Sequence, residues 1–231
     1  MRRLLVLSFA LVCVSSIVRA DQSRPPQHGH SPLATDVTTV STAGAFPGQA
    51  YYQSLPAEQR RQLDKDGQVL LGDDKSTDSS MAGYIRAVAI FKQPKQRVFE
   101  MMSQPEMQAL YLPHVVSSTP AARPANGELT DFDLKFVLSH FRFHVWHWFY
   151  PEQSRIEWWL DKSQKNDIKA QEGYWQLFAL SPTTTIGEYG TRIDTDIAVP
   201  KWLADIFARS DIPNALIAFR RYMDSNGTWR K

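Results

Sequence analysis

The sequence predicts an α+β fold in which an antiparallel sheet is followed by a C-terminal helix. The predicted strands of the middle region are residues 129–138, 140–150, 155–161, 168–180 and 185–199. The compact turns PEQS (151–154) and SPTT (181–184) join two pairs of these strands, as expected for hairpins. After the strands, Leu216, Phe219 and Met223 have the spacing of one buried helix face, which predicts a helix over about residues 211–223.

The first 20 residues have the features of a cleaved export signal. Arg2 and Arg3 precede an apolar run over residues 4–18, and Val18-Arg19-Ala20 supplies a small residue at the exit. An apolar run of about 15 residues is short of the roughly 20 that span a bilayer, which disfavours a transmembrane anchor. Cleavage near Ala20 therefore predicts a periplasmic or secreted protein.

Removal of this leader changes the charge and the cysteine content. The leader contains three of the 26 Lys and Arg residues and no acid, so 23 basic residues remain against 24 acidic ones and the formal charge falls from +2 to −1. A near-neutral chain gives no electrostatic basis for binding nucleic acid. Cys13, the only cysteine, also lies in the leader, so the exported domain must depend on its hydrophobic core.

The mature chain divides into a tether and one domain. Residues 21–50 are rich in Pro, Ser, Thr, Gly and His without an apolar period, which predicts a flexible tether. Residues 51–231 form the predicted globular domain. His28 and His30 are two ligands in a mobile segment and make a weak metal site, so we predict none.

The start of the domain has helix and strand signals of its own. Pro56 at a first helical turn and the later Gly67 are typical of helix ends. Val98, Phe99 and Met102 fall on one side of a second helix. The predicted helices are 55–67 and 95–103, the predicted strands are 68–71 and 84–91, and a short apolar turn is predicted at 202–207.

The segment HFRFHVWHWFY, residues 140–150, has two interpretations. In a helix, His140, His144 and His147 would share one face, as in a three-histidine zinc site. The aromatic and β-branched neighbours and the stop at Pro151 favour a strand instead. We therefore predict a strand, in which residues an odd number apart point to opposite faces and no three-histidine metal site forms.

A hairpin with residues 151–154 as its loop pairs Tyr150 with Arg155 and His147 with Trp158. In this register the apolar side chains of both strands fall on one face and the polar ones on the other, which a wrong register would not achieve. The predicted inner face contains Phe141, Phe143, Val145, His147, Phe149, Ile156, Trp158 and Leu160. The predicted outer face contains His144, Trp146, Trp148, Tyr150, Arg155, Glu157, Trp159 and Asp161.

Two features of this hairpin each allow two roles. On the inner face, His147 either lines a cavity and bonds a ligand or is a core histidine satisfied by backbone or water. On the outer face, Trp146, Trp148 and Trp159 either make a transient contact with a membrane or protein or pack under a loop or tail.

The last strand pair is predicted with Leu180 opposite Thr185. This pairing places Glu188, Arg192, Asp194 and Asp196 on one side. The other side, which has the mixture of apolar, hydroxyl and amide groups common in ligand cavities, contains Tyr174, Gln176, Phe178, Tyr189, Thr191, Ile193 and Ile197.

The order of elements resembles the START-like, or SRPBCC, superfamily. The strand YIRAVAIFKQP leads into KQRVFEMMSQPE and ALYLPHVVSS, and the strands EGYWQLFAL and GTRIDTDIAVP precede WLADIF and the final helix. The likeness covers about residues 68–223 and is similar to the polyketide-cyclase and coenzyme-Q-binding groups. It implies a helix-grip fold, in which a curved antiparallel sheet wraps around a long C-terminal helix. It also implies an apolar cavity, in which family members bind lipids, sterols, isoprenoid quinones or polyketides.

These observations favour an exported binder or carrier of a hydrophobic small molecule, with no catalytic residue, cofactor or metal. The alternative is a cavity enzyme of cyclase or hydrolase type, with His147 as acid or base and a carboxylate such as Asp133 as helper. No GxSxG motif supports a nucleophile. The predicted ligand-binding residues are Phe143, Val145, His147, Phe149, Trp158, Gln176, Phe178, Tyr189, Ile193, Leu216, Phe219 and Met223.

Overall fold

Eight antiparallel strands and a C-terminal helix build the protein, whose computed structural model describes residues 46–73, 84–136, 139–194 and 212–231. The strands are β1 (Gln68–Asp73), β2 (Ile85–Phe91), β3 (Val115–Ala122), β4 (Gly127–Phe136), β5 (Ser139–Tyr150), β6 (Arg155–Leu160), β7 (Ala170–Ser181) and β8 (Thr184–Asp194). The helices are α1 (Pro47–Ser54), α2 (Ala57–Asp66), α3 (Lys95–Met102), α4 (Gln108–Tyr111) and α5 (Ile212–Asp224), with a 3-10 turn at Pro105–Met107.

One curved sheet, in the order β1-β2-β8-β7-β6-β5-β4-β3, forms the body of the fold. Its inner face packs against α5, whose Leu216, Phe219 and Met223 are buried in the main hydrophobic core. The predicted α+β helix-grip architecture is confirmed, and so are the predicted helices α2, α3 and α5. The predicted leader, most of the tether, the turn at 202–207 and Ile197 lie outside the described residues.

The hairpin of β5 and β6 has the predicted register. Tyr150 pairs with Arg155, His147 with Trp158 and Val145 with Leu160. The side chains of Val145, His147 and Trp158 are all buried on the inner face. The strand interpretation of residues 140–150 is confirmed.

The predicted register of β7 and β8 is wrong by one residue. Ala179, not Leu180, pairs with Thr185, and Ser181 pairs with Thr184 across a bulge. The bulge inserts one extra residue before the turn, which reverses the face of every position of β7 that precedes it. Gln176 and Phe178 therefore pair with Glu188 and Ile186 and lie on the outer face, as does Tyr174. Trp175 and Leu177 lie on the inner face in their place.

Helices α1 and α2 cover the outer face of this strand pair. Helix α1 begins at Pro47, within the segment assigned to the tether, so helical structure starts a few residues before position 51. Tyr51 stacks on Phe178 with 5.0 Å between ring centroids. A second hydrophobic cluster lies beneath the two helices and consists of Leu55, Leu63, Val69, Val88 and Ile186.

A buried carboxylate links helix α1 to the sheet. Glu188 on β8 is 1% exposed, and its Oε2 accepts a hydrogen bond from the Tyr51 hydroxyl at 2.7 Å. Its Oε1 accepts from the Tyr174 hydroxyl at 2.6 Å and from the Arg86 guanidinium at 2.7 Å. Burial of a carboxylate is tolerated because a cation and two hydroxyls satisfy its oxygens.

Strand β3 was not predicted from the sequence. Its segment VVSSTPAA has one buried residue, Val115, and its remaining positions are half-buried or exposed. It lies at the edge of the sheet, where Pro120 is tolerated and no apolar alternation is required.

The packing of α1 gives a testable prediction. A Cβ atom at Gly48 would lie 2.6 Å from the carbonyl oxygen of Ala179 and 2.9 Å from Cγ2 of Ile186. Gly48→Ala should lower the free energy of unfolding by about 1–3 kcal/mol in urea denaturation, because the added methyl pushes α1 off the sheet. The exposed neighbour serves as control, and Gln49→Ala should change the value by less than about 0.5 kcal/mol. A Gly48→Ala protein as stable as the wild type would contradict this close packing.

Candidate functional site

A cavity of about 150 Å³ lies between the inner face of the sheet and α5. Its aromatic lining consists of Phe132, Phe143, Trp158, Trp175, Tyr189 and Phe219. Its aliphatic lining consists of Met102, Leu112, Val115, Leu134, Ile156 and Ala215. Besides the Tyr189 hydroxyl and the indole N–H groups of the two tryptophans, the described lining has three polar side chains, namely Gln108, His147 and Gln171.

The rings of the wall pack against one another. Trp175 lies 5.0 Å from Tyr189 and 5.5 Å from Phe219 between ring centroids, and Phe132 lies 5.7 Å from Phe143. Edge-to-face and offset pairs at these distances are favourable and restrict ring motion. The wall is therefore a rigid apolar surface rather than a flexible one.

His147 is the buried polar ring of this wall. It is 5% exposed, and burial lowers its pKa to about 3, with an interaction with the Val145 backbone offsetting only part of the effect. The ring is therefore neutral at pH 7. No described residue makes a well-formed hydrogen bond to its Nδ1. A buried polar atom without a partner is uncommon, and the cavity is where a partner would come from.

Gln171 on β7 is a second polar group of the cavity. Its side chain lines the cavity, and its buried Oε1 has no hydrogen-bond partner among the described residues. His147 and Gln171 therefore each present an unsatisfied atom at the same apolar site.

The carboxylate directly opposite His147 in the sheet is bonded to other residues. Glu128 on β4 pairs directly with His147 on β5 and is 3% exposed. Its Oε1 accepts a hydrogen bond from the Thr130 hydroxyl and its Oε2 accepts one from Arg123 Nε, both at 2.8 Å. Burial raises the pKa of Glu128, and these two bonds act against that change. Both oxygens have partners, so Glu128 is held as part of the sheet.

The predicted helper Asp133 is on the wrong face. Its Oδ1 lies 2.7 Å from His140 Nδ1, and its Oδ2 accepts a hydrogen bond from Arg142 at 3.4 Å. The hydrogen bond with His140 lowers the pKa of Asp133. Because β4 alternates, Asp133 points to the outer side of the sheet while His147 points to the inner side.

A wider cleft of about 590 Å³ opens on that outer side. Most of its charged side chains are already engaged, since His144 Nδ1 lies 2.6 Å from Asp131 Oδ1, Arg142 bonds Asp133, and Asp167 Oδ2 accepts from the backbone N–H of Arg142. No three His, Cys, Asp or Glu side chains of the described ranges are placed to hold a metal ion. The smaller cavity is the better site for a hydrophobic ligand because its lining is mostly apolar and two of its buried polar atoms have no well-formed hydrogen bond among the described residues.

The structure brings together five of the twelve predicted ligand-binding residues. Phe143, His147, Trp158, Tyr189 and Phe219 line the cavity. Val145, Leu216 and Met223 are buried in the surrounding core, and Phe149 packs against it.

The other three predicted residues lie elsewhere. Ile193 is 53% exposed. Gln176 and Phe178 are on the outer face because of the bulge in β7. Gln176 Nε2 donates to the carbonyl oxygen of Gln153 at 2.8 Å, and Phe178 packs under α1.

Sequence reasoning missed several cavity residues. The alternation of Phe132 and Leu134 along β4 is a signal that was available. Trp175 and Gln171 required the correct register of β7. Met102 was predicted on the apolar side of α3, but nothing in the sequence directs that side toward the cavity. The other side chains from the region of α4 and the start of β3 have no sequence signal of their own, namely Gln108, Leu112 and Val115.

Three of the four tryptophans of the hairpin, Trp146, Trp148 and Trp159, lie on the outer face as predicted. Trp146 pairs with Trp159 across β5 and β6, and it is only 9% exposed. Trp148 and Trp159 are half-buried. Surface for a partner is therefore offered mainly by Trp148 and Trp159.

The low pKa of His147 predicts a pH dependence of stability. In the unfolded chain the ring titrates near 6.5, whereas in the folded protein it titrates at about 3. Above about pH 6.5 the ring is neutral in both states, and protonation of His147 does not reduce the free energy of unfolding. As the pH falls toward 3, only the unfolded chain takes up the proton, so the folded protein becomes less stable relative to it. The free energy of unfolding should therefore fall with decreasing pH by up to about 1.4 kcal/mol per pH unit from this residue.

Urea denaturation of His147→Phe between about pH 7 and pH 5 checks this expectation. The variant should show a flatter pH profile than the wild type. Phe143→Leu perturbs the same wall without removing a titrating group and should keep the wild-type slope. Parallel slopes for wild type and His147→Phe would show that the ring is not buried in its neutral form.

Comparison with known proteins finds similar folds but no similar sequences. No family model and no curated protein matches the chain. Solved structures do match. A START superfamily protein from Mycobacterium smegmatis is similar with a TM-score of 0.53 at 15% identity, covering 62% of this chain and 97% of that one.

Two further structures give the same result. The protein TTHA0849 from Thermus thermophilus has a TM-score of 0.55 at 15% identity and covers 63% of this chain and 99% of its own. The fragment 25–204 of a STAR-related lipid transfer protein from Xanthomonas axonopodis has a TM-score of 0.52 at 15% identity. The match covers 68% of this chain and 99% of that fragment. This protein therefore has the fold of the START superfamily.

Proposed function

We propose that this protein binds or carries a hydrophobic small molecule in the cavity between its sheet and α5. The observation that carries the proposal is an apolar cavity lined by six aromatic rings, in which two buried polar atoms lack a well-formed hydrogen bond among the described residues. Cavities for small molecules commonly combine apolar walls with a few placed polar groups. One structural neighbour is named a STAR-related lipid transfer protein, which supports a role of this kind.

Desolvation is the driving force of the proposed binding. Each square ångström of apolar ligand surface removed from water contributes roughly 25 cal/mol. The preformed ring wall requires little side-chain ordering when a ligand enters, which preserves this gain. His147 and Gln171 would orient one polar end of the ligand, since each has an atom without a partner.

The volume of the cavity limits the ligand. A space of about 150 Å³ is of the size that holds one benzene-like ring. A lipid, sterol, isoprenoid quinone or polyketide would fill it with only part of its structure unless α5 moved away from the sheet. The cavity as it stands favours a compact ligand over these larger classes.

The geometry gives less support to a cavity enzyme. Acid–base catalysis is most effective with a group that titrates near the working pH. Burial lowers the pKa of His147 to about 3, and Asp133, its suggested helper, is bonded to His140 on the opposite face. His147 therefore offers the neutral ring of a binding site.

We also propose that the protein acts after export, on the basis of the N-terminal leader. Among the described residues, no helix has both the length and the apolar character needed to cross a membrane. A transient contact with a membrane or protein through Trp146, Trp148 and Trp159 stays a prediction. Liposome flotation of the Trp148→Ala, Trp159→Ala double variant tests it, since loss of the two indoles should reduce flotation relative to the wild type.

Filling the cavity should abolish ligand uptake. Ala215 lines the cavity, and Ala215→Trp places an indole in a space of about 150 Å³. Toluene binding, followed by protein NMR shifts, should weaken by at least about tenfold, because the apolar space is no longer available. Asn214→Trp adds the same group at an exposed neighbouring position of α5 and should bind toluene like the wild type.

The natural ligand is sought in parallel by mass spectrometry of organic extracts of the purified protein. A wild-type protein that carries no organic molecule and takes up no toluene would refute the proposed function. Equal toluene binding by the Ala215→Trp and Asn214→Trp proteins would place the binding elsewhere.

Export predicts a defined mature N-terminus. When the full chain is produced in a bacterium with an outer membrane, the protein should appear in the periplasmic fraction and begin near Asp21, after cleavage at Ala20. Replacing Leu5 and Val6 in the apolar run by Lys should retain the uncleaved chain in the cytoplasm. An uncleaved chain in the cytoplasm for the unaltered sequence would contradict the proposal.

A further inference from the structure

The polar groups of the cavity specify the chemistry of its ligand. We infer that the cavity selects a compact, uncharged aromatic molecule that carries a hydroxyl group, and discriminates against carboxylates and amines of the same size. This inference rests on the proposed function and adds the ligand class to it.

His147 supplies the first requirement. Its side chain lines the cavity, is 5% exposed, and has an Nδ1 without a well-formed hydrogen bond among the described residues. A neutral imidazole offers one N–H donor and one lone-pair acceptor. The ligand must therefore present a group that meets a neutral ring nitrogen, and a hydroxyl meets it whichever nitrogen carries the proton.

Gln171 supplies the second requirement. Its buried Oε1 lacks a partner and accepts hydrogen bonds only, so the ligand should donate to it. A hydroxyl donates one hydrogen bond and accepts others. Because a hydroxyl has a single hydrogen, it meets both groups when His147 Nδ1 donates and Gln171 Oε1 accepts, or when Nδ1 accepts and the amide is flipped so that nitrogen and oxygen exchange places. A carboxylate can only accept and has nothing to donate to the carbonyl oxygen.

The charge of the walls supplies the third requirement. Along the described part of the chain, the cavity lining contains no Asp, Glu, Lys or Arg side chain. An ion that enters an apolar site without a counter-charge loses its hydration without compensation. Glu128, the buried carboxylate opposite His147, already bonds Arg123 and Thr130 and is not among the described lining residues.

The walls favour a flat ring. Trp158 stacks with Tyr189 at 5.7 Å between centroids, and Trp175 lies 5.0 Å from the same tyrosine. Aromatic rings pack favourably on such surfaces in offset or edge-on arrangements. A volume of about 150 Å³ restricts the ligand to about one ring and its substituents.

Four benzene derivatives of similar size test this selection. The probes are para-xylene, para-cresol, benzoate and benzylamine, which offer a methyl, a hydroxyl, an anion and a cation. Para-cresol has the phenol of a tyrosine side chain and stays neutral at pH 7. Dissociation constants from NMR titration of the full-length protein should rank para-cresol first. The two charged probes should bind at least about a hundredfold more weakly than para-cresol.

Two variants and one control connect the preference to the named residues. The ratio of para-cresol affinity to para-xylene affinity should fall by about tenfold in His147→Phe, and likewise in Gln171→Leu. In each variant a hydrogen-bond partner is lost while the apolar wall remains. Gln176→Leu makes the same exchange on the outer face of the same strand and should leave the ratio unchanged. Gln171 is only half-buried, so its variant keeps the test available if His147→Phe does not fold.

The outcomes separate this inference from the proposed function. Benzoate or benzylamine binding as tightly as para-cresol overturns the inference and leaves the cavity as a binding site. An unchanged affinity ratio in both variants does the same. If neither para-xylene nor para-cresol binds to the wild type, the proposed function fails, and the ligand class fails with it.

Discussion

The pairing of β5 with β6 determines which side chains can meet a ligand. The turn at residues 151–154 closes with Ser154 in a left-handed conformation at φ 50° and with a 3.0 Å bond from its N–H to the carbonyl oxygen of Pro151. This turn places His147 opposite Trp158 and both on the inner face. A slip of one residue would turn Trp146 and His144 inward and expose the present cavity wall.

This pairing separates two electrostatic environments across one layer of backbone. On the outer side, His140 and His144 lie within 2.7 Å of the carboxylates of Asp133 and Asp131. On the inner side, His147 faces a mostly apolar cavity, the carboxylate of the neighbouring Glu128 is bonded to Arg123 and Thr130, and burial lowers the pKa of His147 to about 3. Three histidines of one strand therefore serve different roles because alternate residues face different surroundings.

Part of the outer face is also buried, beneath α1 and α2, and this affects which residues β7 and β8 carry on their two faces. Helix α1 lies so close to β7 that Gly48 has no room for a side chain against Ala179. Beneath it, Phe178 stacks on Tyr51 and Glu188 bonds the Tyr51 hydroxyl. Strands β7 and β8 are consequently apolar on both faces, with Trp175 buried inside and Ile186 buried outside. The cavity and the helix cover thus depend on the same two strands.

The sequence by itself determined the α+β class, the C-terminal helix and the face of every residue in the β5–β6 hairpin. It could do so because one face of that hairpin is apolar and the other carries charges, so only one register agrees with both strands. The register of β7 and β8 was decided by tertiary structure. Apolar residues on both faces remove the alternation that would identify the inner side, and a bulge near Leu180 shifts the pairing by one. The cavity likewise depends on Met102 of α3, Leu112 after α4 and Val115 of the edge strand β3, which come together only in the folded chain.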